Sequence, residues 1–137
     1  MKRAWSWLPR TPATPISSWR VIAWWECRRI PFNLLVGAHA GVCLIIFFWA
    51  VTSSGRLQPG EDAVEPVAIL LAPLAINLFY TLGWLVEWPA RLVVPRLSPR
   101  FGPRLLTLGL GLSVFLISIP AVVWSGVRVL QLGGLLP

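Results

Sequence analysis

Three long apolar segments, separated by short polar stretches, dominate the pattern of this sequence. They cover residues 34–53, 66–88 and 105–127, and each is long enough to cross a bilayer as a helix, which takes roughly 20 residues. The first is uncharged apart from any charge on His39, the second has a single acid, Glu87, and the third is uncharged. The pattern predicts an all-α membrane protein with three transmembrane helices.

An N-terminal segment, residues 1–32, precedes the predicted three-span membrane domain of residues 33–137. Its prolines predict irregular structure at the start. From Ser18 to Ile30 we expect a short interfacial helix, rich in Trp and Arg, which Pro31 breaks or kinks. The arginines and tryptophans of this helix do not segregate onto separate faces. Two interpretations therefore stay open: a helix in the headgroup region with its arginines reaching water, or a helix covered on several sides by protein.

The composition agrees with a membrane protein. Hydrophobic residues make up 56% of the chain and charged residues 12%, whereas soluble domains have about 45–50% and about 25%. So little polar surface cannot cover a water-facing globule, and the excess apolar area needs lipid. The net charge of +7 does not predict a nucleic-acid partner, because the basic residues flank apolar runs and form no basic stripe.

The charge distribution predicts a topology. Ten basic residues precede the first span or lie between the second and third, against two on the opposite side of the membrane. The positive-inside rule then places the N-terminus in the cytoplasm and the C-terminus outside. Four tryptophans fall near the predicted span ends, where aromatic rings prefer to lie: Trp49, Trp84, Trp88 and Trp124.

His39, the one histidine of the sequence, lies within the first predicted span between small residues. Ionisable residues at this depth are uncommon and are candidates for function. A neutral histidine that is hydrogen-bonded to a neighbouring helix is the leading interpretation. The small neighbours also leave room beside the imidazole for a haem or chlorophyll, with His39 as the axial ligand, and a proton-relay role is a third interpretation.

Small residues at a spacing of four predict where the spans contact other helices. Gly37 and Gly41 form a GxxxG pattern, and similar pairs occur in the other spans, which permits close backbone approach; they are Ala68 with Ala72 and Gly109 with Ser113. The pattern does not say whether the contacting helix belongs to the same chain. Counting residues from the span ends also predicts one intramembrane polar layer: His39, Asn77, Tyr80, Thr81 and Ser113.

Glu87 and Arg91 are spaced i,i+4 in the favourable order, which predicts an interfacial salt bridge. No acid–base pair, and no nucleophile with its base, can be assembled from so few polar residues. We therefore expect no enzymatic activity and no metal site.

Two stretches carry a resemblance to known proteins: Trp24-Trp25-Glu26-x-Arg28-Arg29-x-x-Phe32-Asn33 leading into Val36-Gly37, and Asn77-x-x-Tyr80-x-x-Gly83 with Glu87. The chain resembles small uncharacterised bacterial multi-span inner-membrane proteins, which usually have Tyr in place of Phe32 and no proline at the position of Pro31. The resemblance implies a bacterial inner membrane and no particular activity.

Three helices of this length leave no room for an enclosed pore or substrate cavity. We therefore expect an accessory or scaffold subunit whose partners are the lipid bilayer and either a larger membrane complex or further copies of itself. Two alternatives stay open. One is a homo-oligomeric channel or transporter with His39 and Asn77 on its pathway, and the other is a haem- or chlorophyll-binding subunit.

Reporter fusions test the predicted topology. Fusions after Arg20, Gly60, Ser98 and Gly134 should report inside, outside, inside and outside, because the ten basic residues stay in the cytoplasm. A cytoplasmic signal at Gly134 would contradict the three-span arrangement.

Overall fold

The computed structural model describes residues 18–55, 66–94 and 96–136, and the regular structure within them consists of three α-helices. These are α1, Ser18–Ser53, α2, Pro66–Val93, and α3, Phe101–Leu132. Each is long and apolar enough to cross a membrane, and each contains one of the predicted spans. The described residues contain no strand, so the prediction of an all-helical chain with three apolar helices is confirmed.

Helix α1 is longer than the first predicted span because it includes the segment that follows Ser18. Pro31 lies inside this helix and does not end it. A proline removes one backbone hydrogen bond, but Pro31 is exposed, while Trp25 before it and Phe32 after it are both buried. Packing on both sides thus holds the helix together across the proline. The expected short helix is the first part of α1, and the irregular stretch predicted before it lies outside the described residues.

The packed interior consists of two apolar clusters, one near each end of the bundle. The cluster at the end that contains Trp25, called the Trp25 end below, involves all three helices: Val21, Trp25, Phe32, Val36, Tyr80 and Leu106. The cluster at the opposite end, called the Trp49 end, involves only α1 and α3: Cys43, Phe47, Val51 and Ala121. Helix α2 therefore contributes buried residues only at the Trp25 end.

The first turns of α2 are little buried by the part of the chain that the structure describes. Residues 67–75 are all exposed, and the buried residues of this helix, Tyr80 and Glu87, come later. Two glycines explain why the later part packs closely. A Cβ at Gly83 would lie 2.5 Å from Trp25 Cη2, and one at Gly102 of α3 would overlap the Glu87 carboxylate.

We expect Gly83→Ala to destabilise the fold by about 1–3 kcal/mol, because the added methyl group meets a buried indole ring. Gly111→Ala is the matched control, since nothing lies within 4 Å of a Cβ at Gly111. Alanine favours helix over glycine by up to about 1 kcal/mol, so the control should be neutral or slightly more stable. Thermal unfolding in detergent measures both, and equal stability of the two variants would contradict the close contact.

Candidate functional site

The carboxylate of Glu87 is the centre of a buried polar cluster at the Trp25 end. Its side chain is 0% exposed. Oε2 accepts a hydrogen bond of 2.6 Å from Trp25 Nε1 of α1, and Oε1 accepts bonds of 2.8 Å and 2.5 Å from Arg91 Nε and Nη2. Both oxygens are therefore satisfied, one across the helix interface and one within α2. The predicted Glu87–Arg91 salt bridge is present, with its acid buried between helices.

Trp25 is positioned by four further contacts with α2 and α1. Its indole ring lies against Gly83 and meets the Tyr80 ring edge to face, with 5.3 Å between the centroids. The Tyr80 hydroxyl donates a hydrogen bond to the Trp25 carbonyl. The Trp24 ring packs edge-on against the Trp25 ring, with 5.4 Å between the centroids. These contacts fix the direction of the indole N–H, which explains why it points at Glu87.

A second polar group surrounds Arg29, on the next turn of α1. Arg29 forms a salt bridge of 2.7 Å with Glu26 and donates to Thr81 Oγ1 at 3.1 Å and to Asn77 Oδ1 at 3.3 Å. Asn33 Nδ2 also donates to Asn77 Oδ1, at 3.0 Å. Five polar side chains of α1 and α2 therefore join into one network, and the guanidinium lies 5.0 Å from the Tyr80 ring centroid.

His39 contacts α3 and is not part of this network. Its Nε2 lies 2.9 Å from Ser118 Oγ, and that hydroxyl donates to the Val114 carbonyl at 2.8 Å. Because the serine proton is used in that bond, the hydroxyl oxygen is free to accept a hydrogen bond from His39 Nε2. Cys43 Sγ lies 3.4 Å from the same nitrogen.

The predicted single polar layer is divided into two levels. Asn77, Tyr80 and Thr81 meet the first turns of α1, whereas His39 meets Ser118, and Ser113 donates to the carbonyl of Gly109 in its own helix. His39 lies six residues beyond Asn33, which is ~9 Å along a helix. The prediction counted the depth of each residue from the end of its apolar run. For His39 that count began near residue 34, whereas α1 continues past Pro31, so His39 was assigned to the wrong level.

The GxxxG glycines do not make close contacts within this chain. Nothing lies within 4 Å of a Cβ built at Gly37, Gly41 or Gly109. Gly37 and Gly41 instead line an open groove of about 680 Å³ between α1 and the exposed start of α2. Ala68 and Ala72 line the opposite wall, so small residues flank the groove on both sides.

Most of the residues that line the groove are apolar. Residues of α3 form its floor, and two polar residues, Asn33 and Asn77, line it toward the Trp25 end. No charged side chain lines it. An apolar surface of this kind suits an apolar occupant that spans the same depth.

The described residues contain no group of three or more His, Cys, Asp or Glu side chains that could hold a metal ion. Comparison with protein-family models, curated proteins and solved structures gives no match. The groove and the Glu87 cluster are therefore interpreted from their geometry.

Sequence reasoning missed three residues of this site: Trp25 as a hydrogen-bond donor, Gly102 as the contact of Glu87, and Ser118 as the partner of His39. Trp25 and Glu87 are 62 positions apart, and no local periodicity links them. The acid near the end of an apolar span was the available signal, because a buried carboxylate needs donors on neighbouring helices.

We expect Glu87→Ala to destabilise the bundle by about 3 kcal/mol, because it removes the buried acceptor of the Trp25 indole N–H and the salt bridge of the partly buried Arg91. Glu26→Ala is the control. Its salt bridge with Arg29 is more exposed, at 44% for the acid, so its loss should cost about 1 kcal/mol or less. Equal losses of thermal stability in detergent would show that burial of the Glu87 carboxylate contributes nothing.

Proposed function

We propose that this chain is a non-enzymatic integral membrane subunit that assembles laterally with another transmembrane helix through its groove. One observation carries the proposal: small residues at helical spacing line both walls of an apolar groove that residues 18–55, 66–94 and 96–136 leave open. In lipid, helix association relies on van der Waals packing, which improves where small residues let backbones approach. The accessory or scaffold role follows from this surface.

The tryptophans and arginines support a position for the bundle in a bilayer. A hydrocarbon core of about 30 Å corresponds to about 20 helical residues. Counted back from Trp49 in α1 and Trp124 in α3, that length ends at Arg29 and Arg104. Both helices therefore pass from a tryptophan at one boundary to an arginine at the other.

This placement puts the Glu87 cluster just beyond the hydrocarbon, at headgroup level, together with four tryptophans that suit that level: Trp24, Trp25, Trp84 and Trp88. The basic residues at the same end lie on the cytoplasmic side, so we propose a cytoplasmic N-terminus and an external C-terminus. We also propose the bacterial inner membrane as the location, which is what the sequence resemblance carried by residues 24–37 and 77–87 implies.

The groove then lies inside the hydrocarbon core. Its α1 wall runs from Asn33 to Phe47, between the levels of Arg29 and Trp49. Water is scarce at that depth, so the occupant is apolar. A transmembrane helix of a larger complex or of a further copy meets this requirement.

The contacts of His39 and Asn77 do not favour the two alternative functions. His39 Nε2 bonds to Ser118, and Asn77 bonds to α1 side chains and to the Pro73 carbonyl. A tetrapyrrole would have to displace the serine, and of the two residues only Asn77 lines the groove, so no shared pathway joins them there.

The test is to fill the groove. Gly41→Leu projects a large side chain between the walls and should abolish lateral assembly in the membrane. It should not unfold the chain, because among the described residues nothing beyond the adjoining backbone of α1 lies within 4 Å of a Cβ at Gly41. Gly111→Leu is the matched control, since Gly111 is equally open but lies on α3 outside the groove.

Assembly is measured as the protein mass of the complex after gentle detergent extraction, and folding is checked by thermal unfolding. We expect Gly111→Leu to keep the complex and Gly41→Leu to lose it. A complex of unchanged mass in both variants would contradict the proposal.

A further inference from the structure

We propose that the Trp25 end holds the phosphate of an anionic phospholipid between Arg28 of α1 and Arg104 of α3. Neither arginine lines the groove, so this site goes beyond the lateral assembly and uses only the proposed position of the Trp25 end at headgroup level. Four observations lead to it: the charge balance of this end, the surroundings of Arg28, the register of α1 and α3, and the depth of the two arginines.

The positive charge at the Trp25 end exceeds the negative charge of its own side chains. Among the described residues, the start of α1, the end of α2 and the segment leading into α3 carry seven arginines and two acids. Both acids are engaged, Glu26 with Arg29 and Glu87 with Arg91. The other three acids of the sequence precede α2, which begins at the opposite end of the bundle. Five arginines therefore have no salt bridge within the described residues: Arg20, Arg28, Arg96, Arg100 and Arg104.

Arg28 is partly buried, whereas the other four of these arginines are exposed. Its Nη1 donates to the Trp24 carbonyl at 2.9 Å, and its Cζ lies 4.1 Å from the centroid of the Trp24 ring. Its Nε is buried without a hydrogen-bond partner in the part of the chain that the structure describes. A guanidinium that loses water on one edge and has no acid beside it is costly. An anion bound at its remaining donors offsets that cost.

The register of α1 and α3 places Arg104 on the same side of the bundle as Arg28. The two helices run in the same direction, since their starts share one apolar cluster and their ends the other. His39 of α1 meets Ser118 of α3. Arg28 lies about three helical turns before His39, and Arg104 about four turns before Ser118, so each returns to the face of its helix that makes this contact. The levels of the two arginines differ by one turn, ~5 Å.

Two arginines from neighbouring helices suit a phosphate group. A guanidinium donates in a planar fork that matches the spacing of phosphate oxygens. The Trp24 contacts hold the Arg28 side chain in place, so its donors lose little further freedom when they bind. Arg104 is exposed and can turn toward the same anion. Basic pockets between transmembrane helices bind anionic lipid headgroups with donors arranged in this way.

The depth and the charge of the site select an anionic phospholipid. Arg28 lies one residue before Arg29, the hydrocarbon boundary in the proposed bilayer position, so its guanidinium lies at the level of lipid phosphates. The unpaired arginines of this end repel the ammonium group of a zwitterionic lipid and attract a headgroup with a net negative charge. Exposed Leu35 and Leu108, at i+7 from Arg28 and i+4 from Arg104 toward the hydrocarbon, contact the acyl chains, which a free phosphate ion lacks.

The test measures lipid binding by native mass spectrometry. The full chain in a nonionic detergent is titrated with phosphatidylglycerol, with phosphatidylcholine or with inorganic phosphate. Arg28→Gln and Arg104→Gln each remove one side of the site. Arg96→Gln is the matched control, since Arg96 is exposed, lies at the same end and loses the same charge. Thermal unfolding checks that each variant is folded, and Arg104→Gln changes only an exposed side chain.

We expect one tightly held phosphatidylglycerol per chain and weaker binding of phosphatidylcholine and of inorganic phosphate. Arg28→Gln and Arg104→Gln should each weaken phosphatidylglycerol binding at least about tenfold, because each removes charge-assisted hydrogen bonds to the phosphate. Arg96→Gln should weaken it about twofold or less, because solvent screens a charge that does not touch the lipid. Arg28→Lys keeps the charge but not the planar fork, so it should restore only part of the binding.

Several outcomes overturn the proposal. Equal losses in Arg28→Gln, Arg104→Gln and Arg96→Gln would show only a diffuse attraction to the net charge. Equal binding of phosphatidylglycerol and phosphatidylcholine would show that the charge of the headgroup is not selected, and equal binding of inorganic phosphate would show that no lipid is needed. Gly41→Leu, which fills the groove, should bind phosphatidylglycerol as the parent does, so this site is tested separately from lateral assembly. Loss of the lipid in Gly41→Leu would place it in the groove instead.

Discussion

The buried carboxylate of Glu87 is the constraint on which the arrangement of the three helices depends. A charge removed from solvent costs several kcal/mol unless donors surround it, and here Trp25 on α1 and Arg91 on α2 supply them. Gly102 allows α3 to lie directly against the same carboxylate. Because lipid is as apolar as the helix surfaces, hydrophobic contact alone does not fix the register of membrane helices. A single satisfied acid between three helices does fix it.

The remaining geometry follows from the position of that acid near one end. The bundle is closed where Trp25, Tyr80 and Glu87 meet, and the adjoining Arg29 network adds polar contacts between α1 and α2. Farther along, α1 keeps its contact with α3 through the His39–Ser118 hydrogen bond and the second apolar cluster. Helix α2 has no such second attachment, so the groove opens between it and α1. Local stability should fall along α2 in the same direction.

This division gives the two ends different roles in the proposed function. The Trp25 end, at headgroup level, holds the fold of the single chain. In the proposed bilayer position, the groove between the Trp25 end and the Trp49 end lies inside the hydrocarbon and presents its small residues to another helix. Gly37 and Gly41 thus belong to the part of the chain that assembles, whereas Gly83 and Gly102 belong to the part that folds. A glycine in a membrane helix can allow close packing within its own chain or with another chain. The atoms that surround it in the structure decide between these two roles.

The sequence predicted the parts of this structure that depend on local pattern. The three apolar helices follow from the length of the apolar runs, and the Glu87–Arg91 pair follows from a spacing within one helix. The continuation of α1 through Pro31 and the level of His39 were not predicted. Both depend on how α1 lies against α2, which the contact between Trp25 and Glu87 sets. Residues so far apart in the chain leave no periodic signal in a single sequence.

Distances between spin labels test the central claim, that α2 is held to α1 only at the Trp25 end. One label pair replaces the exposed residues Ile30 and Leu82, and a second replaces Ile45 and Val67. Labelled chains of the Gly41→Leu variant, diluted with unlabelled copies in a bilayer, report the single chain. The account predicts a narrow distance distribution for the first pair and a broad one for the second. An equally narrow distribution for Ile45 and Val67 would contradict it, because α2 would then be fixed along its whole length without a second helix.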